Sequence, residues 1–394
     1  MWPTRAITAS RCWPCHSTAR WVREGAQGRA GRNAMTHAAR LRTILGVLIS
    51  IVLLWLALHG VDFAALWRAL QGAQYWWLLP AIAVYFEGVW VRAVRWRVLL
   101  APVRQVPARR LFPVIAVGYM ANDLLPARLG EVVRVYMLGR REGIGKTAAL
   151  ATVMLERVLD GVTMLLFLGI AMLLVPLESW LVRLLGAGAA FFAGALLALL
   201  LLARASPVVV RLVELAAIIL PSSLRPWPVR LAGAFLDGLH VLRSPLLTVK
   251  ALGASVAAWT CEALMYYLVA LAFALTPPPA AILATTAVAN LGTLVPSSPG
   301  YIGPFEFLVR RTLETFGVDT EVALGYALVL HVALLLPIIL VGFFCAWREH
   351  LVIRELRSVE RVGDGLRPQP PLGTVGARTE RSYPEPVSRT TEER

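Results

Sequence analysis

The sequence predicts an all-α polytopic membrane helix bundle, with six full spans and two broken or re-entrant elements making eight hydrophobic segments. Three observations predict it. Hydrophobic residues make up 58% of the 394 residues and charged residues only 16%, against roughly 25% charged in soluble domains. Apolar runs near or above the ~18 residues that cross a hydrocarbon core recur between residues 41 and 346. Basic residues cluster in short segments between those runs, as the positive-inside rule expects. The net charge of +15 therefore reads as a topology signal, and with no compact basic domain to hold it, no nucleic acid is expected as a partner.

Residues 1–40 are rich in Arg, Ala and Gly and hold no apolar run of signal-peptide length. They read as a disordered basic tail, with Met35 an alternative start of translation. Eight arginines from Arg5 to Arg42 against the single acid Glu24 place the start of the first span, 44–58, in the cytoplasm. The second apolar segment, 76–91, ends in Arg92, Arg95, Arg97 and Arg104, which read as its cytoplasmic end. The next, 111–125, is short and is followed at once by Arg128, Arg134, Arg140, Arg141 and Lys146. A hairpin entering and leaving on the cytoplasmic face keeps those charges inside, provided protein buries its broken backbone.

Spans at 158–175 and 184–202 form an up-down pair, and the glycines between Gly186 and Gly194 are expected to allow close helix approach. The stretch 204–245 alternates apolar and basic blocks broken by Pro207, Pro221, Pro226 and Pro228, which suits short amphipathic helices at the interface. A long span, 246–275, ends in Pro277, Pro278 and Pro279, which cannot continue a helix. The short apolar run 280–295 leads into Pro296, Pro299, Gly300, Gly303 and Pro304, a second broken element opening outward. The final span, 322–346, ends at Trp347 and Arg348. The domain boundaries are thus 41–349 for the membrane domain and 350–394 for a cytoplasmic, mostly disordered tail.

The two short elements end alike. Asn122 precedes Pro126, Gly130, Glu131 and Arg134; Asn290 precedes Pro296, Gly300, Gly303, Glu306 and Arg310. Paired Gly/Pro-interrupted segments in corresponding halves point to a transport site, and opposite entry faces suit an inverted repeat. Ionisable groups at membrane depth are the other leads, because they are costly there. Arg157 and Asp160 are three apart and able to pair on one helix face beside Glu156, either as a structural ion pair or as part of a site. Arg128, Glu131 and Arg134 follow the first break, where a helix N-terminus favours a phosphate. Glu306 and Arg310 mark the second. Glu87 and Glu262 lie in apolar segments and read as a proton relay or as packed carboxyls, with the deeper Glu262 favoured. His331 reads as hydrogen-bonded packing, and no His or Cys lies at metal spacing from it.

No cofactor is expected. The Cys12 to His16 stretch matches a haem-attachment pattern but lies in the N-terminal tail. Gly145, Lys146 and Thr147 end like a phosphate-binding loop, yet Arg140 stands where its first glycine belongs. Cys12, Cys15, Cys261 and Cys345 are too scattered for a disulfide framework.

Through Arg95-Trp96, the Asn122 to Arg134 stretch, Glu156-Arg157 with Asp160, and the Pro296 to Glu306 stretch, the chain resembles the lysylphosphatidylglycerol synthase transmembrane-region family, also called the flippase-like domain family. The resemblance covers 41–349. It implies a membrane domain that, in fused lipid-modifying proteins, moves an aminoacylated lipid between leaflets. After Trp347 only a short charged tail follows, below the size of a domain, so the soluble synthase domain and its enzymatic activity are not expected. Where the family pattern is a tighter Pro-Gly-Gly, this chain has Pro-Ser-Ser-Pro-Gly followed by Tyr301.

The expected function is translocation of an anionic lipid or lipid-linked substrate between leaflets of the inner membrane, with both termini cytoplasmic. The expected substrate-binding residues are Asn122, Arg128, Glu131, Arg134, Glu156, Arg157, Asp160, Asn290, Glu306 and Arg310. A proton-coupled carrier of a soluble solute, relayed by Glu87 and Glu262, is one alternative. An intramembrane lipid-phosphate transferase using Glu156 with Asp160 is another, and assembly into a homo-oligomer stays open.

Overall fold

A computed structural model describes residues 44–125, 129–219, 225–294 and 297–348. Both expected tails, Met35, Pro126, Arg128, Pro221 and Pro296 lie outside the described residues. The protein is an all-α membrane bundle. Its helices are α1 (Ile44–Leu58), α2 (Phe63–Gly72), α3 (Leu78–Leu100), α4 (Ala108–Leu124), α5 (Gly130–Glu142), α6 (Lys146–Leu174), α7 (Ser179–Arg204), α8 (Ser206–Ala217), α9 (Pro226–Gly238), α10 (Pro245–Ala272), α11 (Pro279–Gly292), α12 (Pro304–Glu314) and α13 (Thr320–Arg348). Five are long and apolar enough to cross a bilayer; α1 and α2, bent by 85° at their junction, make the sixth candidate. The first expected span is thus half of a broken pair. The shorter 3-10 turns at Tyr75–Trp77, His240–Arg243 and Pro299–Tyr301 link helices.

Two series of four helices share one plan. In α3 to α6, and again in α10 to α13, a long helix is followed by two short ones and then by a helix of 29 residues. The packing is reciprocal: α3 lies on α10, α4 on α13, and α11 on α6. α3 and α10 run antiparallel. Gly88 sits against Ala258 and Cys261, Arg95 reaches Ser255, and the Gln74 amide donates to the Ala272 carbonyl. The second series therefore runs in reverse direction to the first.

Each series contains a helical hairpin whose arms start and finish at one end of the bundle. At the first, Arg104 donates to the Glu142 carbonyl and Arg110 lies 3.6 Å from the Glu142 carboxylate, so the foot of α4 and the end of α5 are side by side. The hairpin closes because its crossing point is glycine on both sides. A Cβ on Gly130 would lie 1.9 Å from the Gly118 carbonyl, and one on Gly118 would lie 2.3 Å from Arg134 Cγ. Gly143, at φ +64°, ends α5 in the left-handed conformation that glycine adopts without strain. At the second hairpin, Gly303 (φ +100°) starts α12, where a Cβ would meet the Ser50 carbonyl of α1 at 2.3 Å.

The two ends of the bundle differ in charge. One, where α3, α5 and α7 finish and α6 and α10 begin, carries Arg97, Arg104, Arg109, Arg110, Arg140, Arg141, Lys146, Arg204 and Lys250 around Glu142. α8 and α9 lie at this end, where Arg204, Arg211, Arg225, Arg230 and Arg243 are all exposed, as expected for headgroup-facing positions. The other end is mixed, with Asp62, Glu178, Glu314, Asp319 and Glu321 beside Arg183, Arg310 and Arg311. The flank of the bundle shows large apolar side chains such as Leu173, Ile219 and Leu79 almost fully exposed, as lipid-facing surface requires. The glycines of α7 behave less uniformly than expected: only Gly188 is crowded, by Leu165, while Gly186 and Gly194 face open space.

Candidate functional site

The second apolar segment does not stop at Arg92. α3 continues to Leu100, with Val98, Leu99 and Leu100 still apolar beyond the arginines, so Arg92 and Arg95 lie inside the helix and are buried. This corrects the reading of both as a cytoplasmic end. Likewise α6 begins at Lys146, which puts Glu156, Arg157 and Asp160 well inside a helix instead of at its mouth.

These groups form one network. Glu156, fully buried, receives Arg134 through two hydrogen bonds of 2.8 and 3.0 Å, Arg157 at 2.7 Å and Arg95 at 3.1 Å. Arg95 also pairs with Asp160 and donates to Ser255 Oγ at 2.9 Å. Asp160 accepts from Trp259 Nε1 at 2.8 Å and lies 3.3 Å from Arg157, the i,i+3 pair read from the sequence. The Arg134 guanidinium stacks 4.3 Å over Trp96, whose indole donates to Thr152. Charges at this depth persist because each has an opposite partner and a hydrogen bond.

Beside the network is a cavity of about 160 Å³ lined from both series: Tyr85 and Arg92 of α3, Tyr119, Asn122 and Asp123 of α4, Arg157 and Asp160 of α6, Trp259 and Glu262 of α10, Asn290 of α11, and His331 of α13. Asn122 and Asn290, each near the end of the first arm of its hairpin, both line it. The Gly130 amide donates to Asn122 Oδ1 at 2.8 Å and so ties the first break. Asn290 donates to Glu262 at 3.1 Å, and Glu262 takes a 2.6 Å bond from Arg92, which lies 4.5 Å over Trp259. Arg157 is the open member: its side chain is 34% exposed, against 0 to 4% for Arg92, Arg95 and Arg134. Its Nε stands 3.7 Å from Glu131 and finds no hydrogen-bond acceptor among the described residues.

The expected residues thus divide. Asn122, Arg157, Asp160, Asn290 and Glu262 line the cavity; Arg134, Glu156 and Glu131 support it from behind. Arg310 does not join: it donates to the Ala57 carbonyl at 2.8 Å and pairs with Glu314 at 3.0 Å. Glu87 is exposed on the outer side of α3 and does not line the cavity, so it is no partner for Glu262 there. His331, read as packing, is buried but lines the cavity and meets Glu306 at 2.5 Å. Arg92, Arg95, Asp123 and Trp259 escaped the sequence reading. For the arginines the available signal was the apolar turn that follows them.

A second, almost wholly apolar groove of about 320 Å³ lies between Leu78 and Ile82 of α3 and Leu328, Val332 and Leu336 of α13. On α3, Tyr85 follows Ile82 on the same face and belongs to the polar cavity, so the groove and the cavity are neighbours along one helix.

Residues 43–342 match the family described as the lysylphosphatidylglycerol synthase TM region. A UPF0104 membrane protein of Methanothermobacter thermautotrophicus is 30% identical over 129 residues, 32% of this chain and 37% of that one. Another, of Pyrococcus horikoshii, is 30% identical over 137 residues, 34% of this chain and 40% of that one. The matched stretches thus span well under half the length of these relatives. No solved structure matches the chain.

Proposed function

Since the chain belongs to the lysylphosphatidylglycerol synthase transmembrane-region family, we propose that it moves a lipid with a phosphate-bearing headgroup between leaflets of the inner membrane. The observation that carries this reading is the polar cavity at the meeting point of two oppositely directed hairpins, deep among spanning helices and next to an apolar groove. The headgroup occupies the cavity and the acyl chains stay in the groove and the surrounding hydrocarbon. Arg157, the most exposed of the cavity arginines, takes the phosphate. Every cavity arginine already has a carboxylate partner, so binding proceeds by exchange of partners; Asp123 and Glu262 on the facing wall suit hydroxyl or amine donors on the same headgroup.

We take the basic end of the bundle to be cytoplasmic, by the positive-inside rule, and read both termini as lying on that side. The α4–α5 hairpin is then re-entrant from the cytoplasm and the α11–α12 hairpin from outside. The transferase reading is disfavoured, because Glu156 is fully buried and locked among Arg95, Arg134 and Arg157. The soluble-solute reading loses Glu87 as a relay member.

The test is leaflet exchange of a fluorescent phosphate-headgroup lipid in vesicles holding the purified protein. Arg157→Ala should slow exchange by about tenfold or more, the cost of removing one member of a hydrogen-bonded charge pair. Exchange at the wild-type rate in a folded variant would remove Arg157 from the mechanism, and no exchange by the wild-type protein would remove the function.

A further inference from the structure

Each series carries a buried acid–base pair at the same place, between the short returning helix and the 29-residue helix that follows. In the first, Arg134 of α5 meets Glu156 of α6; in the second, Glu306 of α12 meets His331 of α13. Glu156 and His331 stand at matching depths in helices of equal length. The chemistry differs. Arginine keeps its charge throughout the accessible pH range, so the first pair has a single state. A histidine beside a carboxylate can take up and release one proton, so the second pair has two.

We propose that the Glu306–His331 pair is a proton-binding site that couples proton movement to headgroup transfer through the second hairpin, an inference that rests on the translocation reading. Glu306 is placed to transmit the change. One oxygen meets His331 Nδ1 and the other accepts the Gly303 amide at 2.7 Å, at the first turn of α12. The imidazole is stacked on Phe305 at 4.3 Å and lines the cavity. One proton taken up converts a carboxylate beside a neutral imidazole into a carboxylate beside an imidazolium; its release on the other side restores the first state. Uptake changes the surroundings of the carboxylate that holds the start of α12, the returning arm of the hairpin.

The groups facing His331 across the cavity are Tyr85 and Arg92 of α3, Tyr119 and Asp123 of α4, Arg157 and Asp160 of α6, Glu262 of α10, and Tyr301 before α12. Arg92 with Glu262 and Arg157 with Asp160 are mutually neutralised. Asp123 has no ion-pair partner among the described residues and is the rival site.

The experiment uses vesicles with the full chain, the fluorescent phosphate-headgroup lipid and an internal pH dye, with and without a one-unit pH difference. Wild-type exchange should change by up to about tenfold, the bias one proton gains per pH unit, with proton movement accompanying it. His331→Gln and Glu306→Gln should bring the ratio to about one. A wild-type ratio of one, a response retained in His331→Gln, or its loss in Asp123→Asn alone would each overturn the proposal. Proton uptake or release by the wild-type protein on adding the lipid in detergent needs no variant, and its absence is equally decisive. Dye signal without lipid exchange, lost in His331→Gln, would keep the proton site and discard the lipid.

Discussion

Arg95 shows how a single residue changes meaning with its partners. In sequence it is one of several arginines closing an apolar segment, the usual mark of a cytoplasmic end. In the folded chain it bridges Glu156, Asp160 and Ser255, residues 61, 65 and 160 positions away, and none of its side chain is exposed. Arg95→Ala should destabilise the protein by about 3–5 kcal/mol, because removing one member of a buried ion network strands the others. Thermal unfolding in detergent measures it; a variant as stable as the wild type would mean that water reaches the network. The local members of the site, Glu156, Arg157 and Asp160, were legible because their spacing is a helical one. Arg92 and Arg95 were not, because the single apolar turn after them is a weak signal beside a basic cluster of the kind that usually closes a span.

At the scale of elements the two hairpins were the most legible part. The Asn-Pro-Gly-Glu-Arg echo marks them, with α4 ending at Leu124 and α5 starting at Gly130, and α11 ending at Gly292 and α12 starting at Pro304. What the echo does not convey is that its members serve different ends. Arg134 enters the network while Arg310 braces α12 against α1. Gly130→Ala should be severely destabilising, since its Cβ would fall 1.9 Å from a backbone carbonyl that cannot swing away. Gly186→Ala in α7, where the Cβ meets open space, should be neutral or slightly stabilising in the same unfolding assay. Equal effects of the two changes would refute the tight crossing of α4 and α5.

For the molecule as a whole, composition alone identified lipid as the solvent, whereas the reverse direction of the two series follows from long-range contacts that periodicity does not encode. Sidedness is checked by single cysteines in a background with the native ones changed to serine. Arg110→Cys and Glu178→Cys should be labelled by a membrane-impermeant maleimide from opposite sides of the vesicle. Labelling from the same side would place both hairpins on one face.

The place of α7 follows from parity. Each series contains two complete crossings, so a chain that begins it on one side of the bilayer leaves it on that same side. Two such units joined directly would insert in the same sense. α7 supplies the one extra crossing, and an odd count is what turns the second unit over. Few of its side chains are buried, Leu181, Phe192, Leu199 and Ala203 among them, but its existence is an arithmetic condition for the antiparallel seam.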